Sequence, residues 1–170
     1  TSGIYKIFTD SNTYEYQSDM RANVTGAVKY KLSNGKISDI KNRFAIMNQY
    51  DNCLYISVHQ NKFSDKNVYG AQTFYSPNNN ESKILADFIQ KSISGHLQPD
   101  NKRTIKKSGT DIYLLYNATK PTVMVECGFL SNDKELSSLK DINYQEKMAI
   151  SIAFGIINYN VSEVKNGSEI

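Results

Sequence analysis

The chain has 170 residues, 22% of them charged and 39% hydrophobic, with a formal charge of +3 at pH 7. That length suits one domain able to bury a core, at ordinary globular composition. The small charge argues against nucleic acid: the one basic cluster, Lys102, Arg103, Lys106 and Lys107, is interrupted by polar residues rather than aromatics and reads as a solvated loop. No apolar run reaches the roughly 20 residues of a membrane span, and no signal peptide is visible.

Residues 4–9 (Ile-Tyr-Lys-Ile-Phe-Thr) read as a strand from their β-branched and aromatic content. From Asp10 to Ser38 no periodicity is stable, so a long irregular loop is expected. Ser38 looks like an N-cap, and Ile40, Phe44 and Met47 recur on one helical face. A strand at 53–58 follows, then a shorter one near 71–75. Pro77 and three asparagines precede a helix over 81–95, whose stripe is Ile84, Leu85, Phe88, Ile89 and Ile93. Residues 98–111 read as loop, 112–116 as a strand, and Pro121 introduces a strand at 122–126. Asn132 with Glu135, and Asn143 with Glu146, have capping-box spacing and start a short and a long helix. The long helix is expected to bury Met148, Ile152 and Ile156, and Ala149, Ala153 and Ile157. After Asn160 a polar, frayed tail is expected. Strands alternating with helices imply an α/β fold, a mostly parallel twisted sheet with helices on both faces.

Two apolar runs of strand length end in a single reactive side chain: Leu54-Tyr-Ile-Ser-Val-His59 and Val123-Met-Val-Glu126. In open α/β sheets the ligand crevice lies just past the carboxyl ends of the strands, where both residues fall. An imidazole and a carboxylate from neighbouring strand ends form half of a metal-hydrolase site. A lone histidine is more often a surface or hydrogen-bonded residue, but His59 closes a buried strand and is followed by polar Gln60, Asn61 and Lys62. Asn61 shares its face by period 2 and is placed to orient a ligand or substrate. A carboxylate at Glu126 is costly to bury without a partner. His96, at a helix end beside Gly95, suits a capping or exposed role. Cys53 and Cys127 belong to no Cys-x-x-Cys pair and suit small buried hydrophobes; as a chain neighbour of Glu126, Cys127 should face away from the crevice.

Ser57-Val-His59-Gln-Asn61 and Val125-Glu126-Cys-Gly-Phe-Leu-Ser-Asn132 resemble the two signatures of zinc-dependent N-acetylmuramoyl-L-alanine amidases of the amidase_3 type. Arg43 to Asn48, Gly70 to Tyr75, the Ile112-Tyr-Leu-Leu run and Tyr144-Gln-Glu-Lys are most similar to the spore-cortex, CwlD-like branch. The resemblance spans about Ile4 to Tyr159. It implies a mostly parallel six-stranded sheet between helices, with Zn2+ held by two histidines and a glutamate. His59 matches the second histidine ligand, and Glu126 the catalytic glutamate that activates water. That water attacks the amide joining N-acetylmuramic acid to L-alanine of the stem peptide, and in the spore-cortex branch this prepares muramic acid for conversion to its δ-lactam.

The family's Asp-Pro-Gly-His-Gly-Gly strand and the following Glu ligand do not occur in this chain. The resemblance therefore implies that residues 1–160 are an N-terminally incomplete catalytic domain, lacking the first strand, first helix and two of three zinc ligands, with 161–170 a polar tail. Thr9-Asp10 stands where the family often has Thr-Arg, and Lys62 where it has Ala. The implied partners are peptidoglycan and a GerS-type lipoprotein, and the implied location is extracytoplasmic, in the cell wall or the forespore intermembrane space. The alternative is a non-catalytic descendant of the fold that binds peptidoglycan or a partner; a generic α/β binding module is the third reading.

Overall fold

A computed structural model of the chain describes residues 4–8, 13–17, 24–28 and 35–167, with side chains over 40–162. Thr9 and Asp10 lie outside the described residues. The strands are β1 (Ile4–Phe8), β2 (Thr13–Gln17), β3 (Val24–Val28), β4 (Tyr55–Asn61), β5 (Gln72–Tyr75), β6 (Lys106–Lys107) and β7 (Thr122–Phe129). They form one sheet in the order β3-β2-β1-β4-β7-β5-β6. Its centre, β1-β4-β7, is parallel. β5 runs antiparallel to β7, β6 parallel to β5, and β2 and β3 continue antiparallel from β1.

Among the described residues five helices complete the fold: α1 (Gly35–Asn48), α2 (Asn80–His96), α3 (Tyr113–Asn117), α4 (Asp133–Lys140) and α5 (Ile142–Gly167). Side chains alternate along β4 and β7. Ile56, Val123, Val125 and Cys127 therefore pack beneath Leu85, Ile89 and Ile93 of α2 and Met148, Ile152 and Ile156 of α5. On the other face Tyr55 meets Ile46 and Met47 of α1, and Ala118 just after α3, in a smaller cluster joined by Phe44 and Leu114. The α/β class with helices on both faces is as expected from the sequence.

Several local expectations fail for identifiable reasons. The irregular 10–38 loop instead carries β2 and β3, which extend β1 as a meander. Its polar alternation, Thr-Tyr-Glu-Tyr-Gln, is a weak signal read alone. α1 begins at Gly35, so Ser38 lies inside it rather than capping it. β4 starts at Tyr55 and runs on to Asn61, leaving Cys53 in the preceding turn with its Sγ 3.6 Å from the Met47 carbonyl oxygen. The expected loop 98–111 contains β6, a short edge strand of two lysines. The expected strand 112–116 is the helix α3: both edges of β7 are taken, by β4 and β5, and a short apolar run has no period of its own to decide between strand and helix.

In α2, Ile84 turns outward. In α5, Ala149, Ala153 and Ile157 are exposed, because only the face carrying Met148, Ile152 and Ile156 meets α2 and the sheet. α5 is capped by Asp141, whose Oδ1 accepts from the Asn143 N–H, so Asn143 lies inside the helix. The helix also continues through Gly167, beyond the point where fraying was expected.

Candidate active site

His59 and Glu126 are register partners on adjacent parallel strands. Neighbouring strands lie about 4.8 Å apart and paired residues share a face, so imidazole and carboxylate rise side by side at the carboxyl end of the parallel centre. The face is that of Tyr55 and Ser57; α1 and α3 pack against its Tyr55 end. His59 and Glu126 are half-buried, and Glu126 Oε2 is fully buried.

The register slips immediately beyond this pair. Asn61 aligns with Phe129, not Gly128, so β7 carries one extra residue. Such a bulge re-aims the side chains after it, and here it turns Phe129 onto the His59 face. Asn61 keeps that face by period 2. Its Oδ1 accepts from the Lys62 N–H at 2.7 Å, which leaves its Nδ2 without a partner among the described residues.

The rest of the second motif ties the loops around the site together. The Leu130 N–H donates to the Asn61 carbonyl at 2.8 Å, and the Phe63 N–H to Ser131 Oγ at 3.1 Å. Asn132 caps α4 by accepting from the Lys134 and Glu135 N–H groups, and its Nδ2 donates to the Lys66 carbonyl at 2.9 Å. The Asn132 cap is therefore as expected, but Glu135 does not close the capping box. Its carboxylate instead accepts from the Phe129 N–H at 2.7 Å and the Gly70 N–H at 2.9 Å, joining β7 to the turn before β5. Gly70 is required in that turn, because its φ is +93° and a Cβ there would lie 2.6 Å from Asn101 Oδ1.

The second cysteine and the second histidine point elsewhere. Cys127 is buried in the α2/α5 layer, where desolvation, then the Glu126 charge, pushes its thiol up to about 12. It is an inert core side chain at neutral pH. His96, the last residue of α2, lies with its Nδ1 2.8 Å from the Ser92 carbonyl oxygen and stacks on Phe154 of α5. It serves the helix end and belongs to no site with His59.

Two residues that sequence reading missed extend the row. Gln72 of β5 is the register partner of Glu126, so His59, Glu126 and Gln72 stand abreast on three strands. Arg103 reaches this row from the loop before β6, donating from Nη1 to Gln72 Oε1 at 3.1 Å. Nothing in residue order marks either, because β5 pairs with β7 only through tertiary folding. The hollow of about 270 Å³ between the segment after α2, α4 and the start of α5 is lined by residues such as Gln98, Glu135 and Tyr144, and by neither His59 nor Glu126.

Imidazole and carboxylate are both good zinc ligands. Among the described residues, however, no group of three or more His, Cys, Asp or Glu side chains converges. By donor chemistry the pair suits zinc; by number it does not complete a zinc site.

Comparison with known proteins agrees with this geometry. Residues 8–158 match the Amidase_3 family model, described as N-acetylmuramoyl-L-alanine amidase. The chain is 36% identical over 127 residues to the germination-specific N-acetylmuramoyl-L-alanine amidase of Bacillus subtilis, covering 75% of this chain and 53% of that protein. It thus spans about half the length of that relative. The structure of the CwlD amidase from Clostridioides difficile in complex with the GerS lipoprotein superimposes with a TM-score of 0.72 at 39% identity, covering 78% of this chain and 70% of that one. An N-acetylmuramoyl-L-alanine amidase from Clostridium difficile 630 gives 0.66 at 25% identity, covering 72% and 66%. The motifs at His59 and Glu126, the sheet that sets them abreast and the matched span together show that the chain belongs to the Amidase_3 family of N-acetylmuramoyl-L-alanine amidases.

Proposed function

We propose that the protein is a zinc-dependent N-acetylmuramoyl-L-alanine amidase acting on peptidoglycan, with residues 1–160 in its catalytic domain. The observation that carries this reading is the registered His59–Glu126 pair at the carboxyl end of β4 and β7. In it Glu126 is the general base and His59 one zinc ligand; the remaining ligands are not among the described residues. Glu126 takes a proton from the attacking water as the water oxygen bonds to the lactyl carbonyl carbon. It then delivers the proton to the L-alanine nitrogen as the C–N bond breaks, leaving a lactyl carboxylate on the sugar and a free peptide amine. Asn61, with its Nδ2 available beside His59, holds the substrate amide.

Likeness to a germination-specific amidase and to a CwlD amidase supports a role in spore-cortex maturation, where peptide removal precedes muramic δ-lactam formation. The same likeness supports work outside the cytoplasm, in the cell wall or forespore intermembrane space, and a GerS-type lipoprotein partner. Among the described residues no helix is long and apolar enough to cross a membrane.

Glu126→Gln, made in an enzyme that carries the full set of zinc ligands, tests the reading, since it keeps shape and removes the base. Release of stem peptide from muropeptides is expected to fall about 10²–10⁴-fold with zinc content unchanged. His59→Ala should instead lower metal content first. Near-normal release by Glu126→Gln would defeat the base assignment. A zinc-loaded parent enzyme that binds muropeptides without cleaving them would support the non-catalytic descendant.

A further inference from the structure

We propose that Arg103 is a specificity-determining residue that receives the carboxylate of the acidic second residue of the stem peptide; this rests on the amidase reading. Its guanidinium is held at three points. Nε donates to the Tyr69 carbonyl at 2.7 Å, Nη1 donates to Gln72 Oε1 at 3.1 Å, and Cζ lies 4.8 Å from the centre of the Phe129 ring. Its supports are held in turn. Gln72 Nε2 donates to the Thr104 carbonyl at 2.9 Å. The Arg103 N–H donates to Oδ1 of buried Asn101, whose Nδ2 donates to the Ala71 carbonyl.

An arginine side chain gives up much rotamer freedom when immobilised. Surface arginines are commonly left mobile or matched to a carboxylate, whereas among the described residues the acceptors of Arg103 are all neutral. A guanidinium has five N–H donors. Two are used, and the remaining three form a planar edge suited to bidentate carboxylate binding. Lys106, 5.5 Å from the centre of the Phe74 ring, adds positive charge on the same side of the site.

The spacing selects which carboxylate. Gln72 stands one strand from Glu126 and two from His59, or roughly 5 and 10 Å. An extended peptide advances about 3.3–3.6 Å per residue. If the stem peptide runs from His59 and Glu126 toward β5, the second residue, after L-alanine, arrives over Gln72, within reach of the Arg103 edge. Peptidoglycan stem peptides carry an acidic residue at that position. The stack of Arg103 on Phe129 exists only because the β7 bulge turns that ring onto this face.

The test uses the full chain carrying Glu126→Gln, so that ligand is bound without turnover. Titration calorimetry compares N-acetylmuramyl-L-alanyl-γ-D-glutamyl-L-lysine with its α-carboxamide counterpart; the γ-carboxyl of the second residue is in amide linkage in both, so the α-carboxylate is the one group that differs. We expect the carboxylate ligand to bind about tenfold or more tightly, as charged hydrogen bonds allow. Arg103→Ala should bring both ligands to the weaker affinity, and Arg103→Lys should restore part of the preference. Equal affinities in the Arg103 protein, or a preference unchanged in Arg103→Ala, would overturn the proposal. If Arg103→Ala fails to fold, Arg103→Lys decides, because loss of the planar fork must still reduce the ratio. Failure of the amidase reading is a separate result: an enzyme with Glu126 intact and the full set of zinc ligands would leave the muramyl amide uncleaved while the affinity ratio stayed measurable.

Discussion

Glu126 and Cys127 are chain neighbours in opposite surroundings. The pleat sends the carboxylate to the face of His59 and the thiol into the α2/α5 core. Because burial is the larger cause of the raised Cys127 pKa, with the Glu126 charge second, the thiol stays protonated in the folded protein at neutral and mildly alkaline pH. The sign follows: the folded state holds this proton more tightly than the unfolded chain. Any stability gained from it is full below about 9, the ordinary thiol value, and is lost as pH rises toward about 12. At pH 8 iodoacetamide should therefore modify half-buried Cys53 well before Cys127, with Cys127 reacting only on unfolding. Mass spectrometry of the labelled native protein checks this, and rapid native labelling of Cys127 would contradict the burial that separates it from the face of His59 and Glu126.

At the scale of elements, the α2–α5 contact depends on one glycine. Gly155 sits inside α5, where Ala would be favoured by about 1 kcal/mol in helix propensity. A Cβ there would lie 2.6 Å from Ile89 Cα and 2.9 Å from Ile89 N, both backbone atoms of α2. Backbone cannot swing aside as a flexible side chain does, so overpacking of about 1–3 kcal/mol should win over propensity. Gly155→Ala is accordingly expected to lower the unfolding temperature, measured by circular dichroism, and a rise would show that the helices do not approach so closely. The same contact explains why the two candidate stripes of α5 were not equal. Met148, Ile152 and Ile156 lie on the Gly155 side and are buried, whereas Ile157 is 53% exposed. Periodicity defines a helix's stripes, but its packing partner selects among them.

For the molecule as a whole, the balance of donors governs metal binding. The chain has two histidines and two cysteines. His96 and Cys127 are engaged in the α2/α5 layer, and Cys53 lies in the turn before β4. Structural and catalytic zinc sites use three or four protein ligands. The 170-residue chain alone should therefore retain far less than one equivalent of zinc after dialysis, while its far-ultraviolet dichroism still reports an α/β fold. Elemental analysis checks the first expectation, and stoichiometric, chelator-resistant zinc would reveal ligands beyond His59 and Glu126.

Much of this organisation is written in residue order. The runs ending at His59 and Glu126, the α2 stripe and the Asn132 cap are local patterns, in which spacing along the chain is also spacing along an element; the α/β class follows from their alternation. The site's candidates were legible for the same reason, since each closes a strand that is apolar up to that point. Other features depend on partners distant in the chain. Residues 112–116 became a helix because β4 and β5 occupy both edges of β7, and 13–17 became a strand because β1 offered a free one. Gln72 and Arg103 joined the site through the antiparallel pairing of β5 with β7 and the bulge that turns Phe129 over. Strand neighbours and register are set by competition among long-range pairings for the same edges and the same buried face, and no local spacing encodes that outcome.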